Sequence, residues 1–447
     1  MSDAFSPLKK IHDLLKSGKY DQFRKLIKLL KPVDAAKLLE NSPPKERTII
    51  WELIDKEDQS EILQELNEEI VADLLSNASE TEIIQLLEQV DSDDDLTDIL
   101  QHLPDAITHQ LLRSMDSTDR ERVENLLSYP EDTAGGLMNT DTVSVRARVT
   151  LDVVLRYLRR HLELPETTDK LFVVNKRGQY MGSLPLRLLL VSDPTLTVKE
   201  VMQSDVDPIS ADMSETDVAQ LFSRYDLVSA PVTDETGMLL GRITIDDVVD
   251  VIKDEADHTF LAQAGLAEDE DHFAPILRTA RSRTIWLGAN LLTAFLASAV
   301  INLFEDTIAK VVTLAVLMPI VASMGGVAGS QTLTLVIRNM AQGHINDSNH
   351  NWLVNRELAV GAINGIVWAV VVAVAATLVF QDITLGYIIA MALVINMVSA
   401  AIAGASLPGI LRNLGIDPAI AGTVLLTTIT DVVGFLSFLG LATLFYR

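Results

Sequence analysis

Apolar and polar positions alternate along the chain with three different periods. Up to about residue 130 the apolar residues recur at i, i+3 and i+4, as in "AKLLENSPPKERTIIWELI", "SEILQELNEEIVADLL" and "TDILQHLPDAITHQLLRSM". Each unit opens on a small or polar residue, which predicts short helices. The units are loosely similar and unevenly spaced, so a small stacked-helix superhelix is expected. Between residues 137 and 252 the pattern changes. "LMNTDTVSVRARVTLDVVLRYLRR" returns as "VMQSDVDPISADMSETDVAQLFSRY", and each copy runs into strand, turn and strand. "NKRG" and "DETG" supply the hairpin-turn chemistry. From Arg283 onward the apolar runs are long enough to cross a bilayer, which takes roughly 20 residues. Five spans are predicted, near 284–304, 308–337, 357–380, 385–410 and 418–444. The second contains "MPIVASMGGVAGSQ", whose proline and glycines predict an interrupted helix.

Charge divides the chain at the same place. Of 36 Lys and Arg and 62 Asp and Glu, only 8 and 7 lie beyond residue 275. That leaves 28 basic and 55 acidic residues, a net charge of −27, in the preceding part. Such a surface disfavours nucleic acid and favours cations, although solubility alone also explains it. The absence of cysteine excludes disulfides and thiolate metal sites. "MSDAFSPLKKIHDLL" lacks the apolar core of a signal peptide, so a cytosolic N-terminus is expected. Arg278, Arg281, Arg283, Arg338, Arg356 and Arg412 cluster at alternate span ends. This predicts the N-terminus inside and the C-terminus outside.

Asp431 lies within "VLLTTITDVVGFLSFLG", with no basic residue in the stretch. A membrane-embedded carboxylate costs roughly 2.5–3.5 kcal/mol on insertion scales and usually marks function. Helical spacing puts Thr427, Thr428 and Gly434 beside it, a polar stripe expected to line a pore. Glu305, Asp306, Asp382 and Asp417 are read as span-end or loop residues, which leaves Asp431 as the only deep acid. In a twofold dimer it would meet its own copy, and paired carboxylates with water between them suit a hydrated divalent ion. The bland alternative is a protonated acid hydrogen-bonded to a neighbouring helix.

Two acidic runs stand out in the soluble part. "DSDDDLTD" fails as a calcium loop, with Leu96 for glycine at the sixth place and His102 for glutamate at the twelfth. It remains a site for looser cation binding or a solvated cap. After the repeat, Asp246, Asp247, Asp250, Asp254 and Asp257 fall within about a 100° arc of one helix, which ends near Gly265. Like charges at helical neighbours repel by a few tenths of a kcal/mol each, a penalty that a bridging counterion or plain solvation removes.

The internal repeat resembles a tandem CBS module, a fold that often binds adenine nucleotides. Its Gly-x-x-Thr-x-x-Asp pattern is intact at Gly241, Thr244 and Asp247. The first copy has Pro185 and Leu188 in the Thr and Asp places, with Arg187 left as a phosphate contact. The order of parts, with "EDTAGGLM", "MPIVASMGG", "GIDPA" and "TDVVG", resembles the MgtE magnesium-channel family over nearly the whole length. The resemblance implies a multidomain membrane protein: a superhelical N domain over 1–130, a tandem CBS domain over 131–252, an acidic linker or plug helix over 253–275, and a five-helix pore domain over 276–447. It implies a homodimer in the cytoplasmic membrane with magnesium as substrate and regulator, ATP or another adenine nucleotide at the CBS pair, and no enzymatic activity. A pore site at Asp431 is implied. Gating sites are implied at Asp91, Asp95, the Gly136 carbonyl, Asp226, Asp247, Asp250, Glu255 and Asp417. Val327, Ser330, His258, Thr259 and Gln59 depart from the family pattern. Rival readings are a proton-coupled divalent transporter, an intramembrane aspartyl protease, which needs two deep acids, and a CBS regulator that transports nothing.

Overall fold

The computed structural model describes residues 19–76, 78–90, 93–160, 164–165, 167–204, 207–266, 273, 276–345 and 349–446. Asp91 lies outside them. They form two compact units, one reaching to Glu255 (with Phe273) and one running from Ala256.

The first unit opens with short helices: α1 (Tyr20–Ile27), α2 (Pro32–Glu40), α3 (Pro44–Leu53), α4 (Lys56–Gln64), α5 (Glu68–Ser76), α6 (Glu80–Leu87), α7 (Asp93–Gln101), α8 (Asp105–Ser114) and α9 (Ser117–Leu126). Each is too short to be stable alone, and the apolar stripes merge into one core from Phe23 to Val123. Proline begins α2 and α3, where its missing N–H is harmless. A reciprocal Ser79–Glu82 capping box begins α6.

Two equivalent β-α-β-β-α copies follow. In the first, β1 (Ser144–Arg146) leads through α10 (Leu151–Arg160) to β2 (Lys170–Val174) and β3 (Tyr180–Pro185), then α11 (Leu186–Val191) and α12 (Val198–Val201). In the second, β4 (Ile209–Ser210) leads through α13 (Glu215–Tyr225) to β5 (Ser229–Thr233) and β6 (Leu239–Thr244), then α14 (Ile245–Gln263). In each sheet the first strand pairs parallel with the second and the third antiparallel. Both hairpins bulge at the same point, Val173/Val174 and Val232/Thr233. The copies join through matching edges: Tyr180 N–H donates to Gly237 O at 2.9 Å, and Leu239 N–H to Gly178 O at 3.2 Å. Gly178 and Gly237 have φ of +85° and +79°, so the tight turns that align these edges need glycine.

Helix α14 crosses the division at Glu255. In the second unit its last residues pack by direct contact. Ala262 is buried with Leu333, Ile337, Ala419 and Leu426, and Gly265 (φ +72°) ends the helix against Trp286. Among the described residues, five helices are long and apolar enough to cross a membrane: α15 (Ile276–Asn302), α17 (Thr313–Ala341), α18 (His350–Phe380), α19 (Ile383–Asn413) and α20 (Pro418–Phe445). The short α16 (Glu305–Lys310) precedes α17. The interruption expected at "MPIVASMGGVAGSQ" is absent, because α17 is continuous through Pro319. Pro319 is the seventh residue of the helix, so it removes one early backbone bond without stopping the helix. The glycines serve close packing instead. A Cβ on Gly404 of α19 would lie 2.7 Å from Gly329 O of α17, and one on Gly361 of α18 would lie 2.6 Å from Ala401 Cβ. Helix α19 is the centre of this bundle.

Candidate cation sites

Helices α7 and α14 carry the same polar spacing. Asp95 and Asp98 of one, with His102 immediately past its end, stand at i, i+3 and i+7, as do Asp247, Asp250 and Asp254 of the other. That spacing keeps three side chains on one face. The two faces line one cavity of about 300 Å³, joined by Glu131, Gly136 and Glu215, over an apolar floor that includes Leu66, Ile99 and Val251. Among the described residues, no Lys or Arg lines it.

The backbone fixes several of these groups. Thr244 donates to Asp247 Oδ2 from its N–H (3.2 Å) and its hydroxyl (2.8 Å), which caps α14. Gly136 sits in a turn where a Cβ would come within 2.6 Å of the Pro130 and Glu131 carbonyl oxygens. His102 Nδ1 lies 2.9 Å from the Asp98 carbonyl oxygen. The cavity is an acidic field. Burial pushes the Glu215 carboxyl up, and the charges of Asp132, Glu255, Asp254 and Glu131 push the same way. Burial also raises Glu65, with Asp250 adding to it. Among the described residues, no three His, Asp or Glu side chains converge closely enough to grip a bare ion.

The cavity therefore unites Asp95, Gly136, Asp247 and Asp250 from the sequence-derived set. It adds Asp98, His102, Glu131, Glu215 and Asp254. Of these, Asp254 was legible from the acidic arc, Asp98 and His102 from the failed calcium loop, and Glu131 as the first residue of "EDTAGGLM"; Glu215 carried no sequence signal. Glu255 does not line the cavity, though its charge reaches Glu215. Asp226 lies elsewhere, as the exposed left-handed C-cap of α13 (φ 50°, ψ 47°). Asp246 and Asp257 are exposed and outside the cavity. The nucleotide set has structural uses of its own. A Cβ on Gly241 would meet Asn139 O at 2.7 Å, Thr244 and Asp247 bind each other, and Arg187 is exposed.

In the second unit, Asp431 is the fourteenth of the 28 residues of α20, its midpoint. It is half-buried, and no described side chain hydrogen-bonds or ion-pairs with it. The Thr427 and Thr428 hydroxyls donate to the Thr423 and Val424 carbonyl oxygens, which leaves their oxygens as acceptors beside the acid. The structure departs from the pore stripe and the lone deep acid expected from the sequence. Gly434 is buried, and a Cβ there would lie 2.8 Å from Asn396 Nδ2. It faces the bundle interior because its bare Cα makes room for that amide, so it is no part of an open stripe. Asp431 is also not the only deep acid. Helix α18 begins at His350, seven residues before Glu357, which is 6% exposed. Glu357 is compensated: Arg356 donates to its Oε1 at 2.5 Å and Thr332 to its Oε2 at 3.3 Å. Asp431 has no such partner.

Asp417 caps α20, accepting from Ala419 N–H at 2.8 Å. Its Oδ2 lies 3.2 Å from Nε2 of His258 on α14. At the far end, the Tyr446 hydroxyl donates to Asp382. This bond holds the Asp382 carboxyl below its usual range, and burial followed by that bond raises the Tyr446 phenol.

Three family models match the chain: a divalent cation transporter family, MgtE, over residues 318–441; the MgtE intracellular N domain over 30–132; and the CBS domain over 198–254. The chain is 31% identical to the magnesium transporter MgtE of Bacillus subtilis over 97% of this chain and 96% of that protein. It is 32% identical to the magnesium transporter MgtE of Thermus thermophilus over 97% of each. Among solved structures, the cytosolic domain of the Mg2+ channel MgtE in complex with ATP is 34% identical, covering 55% of this chain and 99% of that one, with a TM-score of 0.49. The N domain, the CBS copies and the five long apolar helices make a multidomain membrane protein.

Proposed function

We propose, because the chain belongs to the MgtE family of magnesium transporters, that it carries Mg2+ across the cytoplasmic membrane through a pore centred on Asp431. The observation that carries this reading is the uncompensated carboxylate at the midpoint of α20, with two threonine oxygens on the turn before it. A half-buried intramembrane acid with no partner among the described residues is retained for an ion or a proton. In a homodimer, two such carboxylates face each other across the axis. Mg2+ gives up its water reluctantly, so the pair holds a hydrated ion.

The acidic cavity supports the regulatory half of the proposal. Its carboxylates are too dispersed to chelate a bare ion, and they suit Mg2+ that keeps part of its water shell. When cytosolic Mg2+ is scarce the facing acids of α7 and α14 repel. When it is abundant the ion bridges them, and α14, which continues to Gln263, transmits the change toward the pore and closes it. Asp417, joined to α14 through His258, lies at the receiving end. The soluble part is cytosolic and the C-terminus outside. An adenine nucleotide at the CBS pair, near Arg187, Gly241, Thr244 and Asp247, is a second proposed ligand, and it would share Asp247 with the cation site.

The test is divalent flux into proteoliposomes while Mg2+ on the cytosolic face is varied. Flux that falls as cytosolic-face Mg2+ rises, at an unchanged proton gradient, is the expected result. Flux that follows the proton gradient instead would favour a proton-coupled transporter.

A further inference from the structure

Asn396 is the fourteenth residue of α19 and is completely buried (0% exposed) in an otherwise apolar stretch. Its Nδ2 donates to the Val321 carbonyl oxygen of α17 at 2.8 Å, and its Oδ1 is buried without a partner among the described residues. Two glycines surround it. A Cβ built on Gly325 of α17 would lie 2.2 Å from Nδ2, and one built on Gly434 of α20 would lie 2.8 Å from it. The amide thus fills the space that two missing side chains leave, where α17, α19 and α20 meet. Each of the three residues is near the midpoint of its helix.

Gly434 is three residues beyond Asp431, about 4.5 Å along the helix axis. The backbone of α20 rests on the Asn396 amide one turn from the acid, and the amide is tethered to α17. We propose that Asn396 is a positioning residue of the pore: its amide fixes the separation of α17 and α20, and so where the Asp431 carboxylate stands. This rests on the proposed pore role of Asp431. A polar group inside a membrane bundle is costly to keep, and a leucine would pack the same volume without the unpartnered oxygen. What leucine cannot supply is the directed bond to Val321, which orients the amide between two glycines. A displacement of α20 by the size of a methyl group moves the carboxylate by the same amount. That is enough to change the fit of a hydrated ion.

The experiment uses the full chain in proteoliposomes and reads the Mg2+-to-K+ permeation ratio and the half-saturating Mg2+, with gel filtration and a melting curve as fold controls. Asn396→Ala should fold, lose at least about tenfold in the Mg2+-to-K+ ratio and raise half-saturation. Gly325→Ala should do the same by pushing the amide aside. The pair Asn396→Ala with Gly325→Ala should regain part of the lost ratio, because the new methyl takes up the vacated volume. A merely structural role predicts lower melting temperatures with the ratio unchanged. Wild-type selectivity in a folded Asn396→Ala, or a double variant no better than the worse single, would overturn the inference. If Asn396→Ala does not assemble, Gly325→Ala decides on the same criterion. Asp431→Asn is run alongside. If it abolishes Mg2+ flux while Asn396→Ala stays selective, only the inference falls. If it leaves flux intact, the pore reading falls and the inference with it.

Discussion

Replacing Asp431 by Asn keeps the shape of the side chain and removes its charge, so it separates two energies of opposite sign. The first is the cost of the charge to the fold. An aspartate at the centre of a membrane helix costs roughly 2.5–3.5 kcal/mol. Asp431 sits at the midpoint of α20 but is only half-buried, and among the described residues nothing compensates it. About half of that cost applies, so Asp431→Asn is expected to stabilise the protein by about 1–2 kcal/mol. For a unit of roughly 150–250 residues that raises the melting temperature by a few degrees. The second energy is the attraction for the ion. A divalent cation about 5 Å from one carboxylate gains on the order of 6 kcal/mol at an effective dielectric of 20. Desolvation offsets most of this, yet even a quarter of it corresponds to about tenfold in occupancy. The variant should therefore be folded, slightly more stable, and at least tenfold slower in Mg2+ flux. The assays are thermal melting in detergent and flux in proteoliposomes. Wild-type flux in a folded Asp431→Asn protein would refute the pore assignment. A lower melting temperature would show that the acid is hydrogen-bonded structurally to a neighbouring helix, which is the bland reading of the sequence.

Mg2+ in the millimolar range should protect residues 130–140 and 250–265 from protease, as seen by mass spectrometry of the fragments; equal protection by K+ at matched ionic strength would reduce the acids to screening. Asp247→Asn with Asp250→Asn removes two of the three α14 carboxylates from the cavity, so this variant should stay conductive at cytosolic Mg2+ that closes the wild type, with Asp431-dependent selectivity unchanged; closure at the wild-type concentration would reject the cavity as sensor. Without divalent ions, stability should fall as pH rises through the raised pKa of Glu215. Its folded carboxyl is lifted by burial and neighbouring acids, so between the unfolded carboxyl pKa and the folded one the native state binds more protons. That decline, followed by chemical denaturation, should be smaller in Glu215→Gln.

The sequence determined the features that depend on local period and composition. Hydropathy located all five long apolar helices, because a bilayer sets a minimum length that local residues satisfy or do not. The repeat and its turn residues announced two equivalent strand pairs, and Asp431 announced itself as a charge in an apolar helix. The acidic arc was visible on α14, since helical neighbours are fixed at 100° per residue. Tertiary structure decided what each face meets. The i, i+3, i+7 stripe of α7 acquires meaning only opposite its counterpart on α14, residues about 150 positions away. Glu131, at the head of "EDTAGGLM", and Glu215, at a helix start with no distinguishing pattern, join them only in the folded chain. The glycines of α17 read as a break and proved to be contact surfaces, because a missing Cβ is equally useful for bending a helix and for bringing two together. Glu357 stood unremarked at the start of the third predicted span; Arg356 beside it supplies the countercharge locally, and only the Thr332 bond from α17 depends on helix packing. Asn396 was indistinguishable from any polar residue in a long span. Only the meeting of three helices at Gly325 and Gly434 gives its amide a place to stand, and such a meeting depends on contacts between residues far apart in the chain, which no local period encodes.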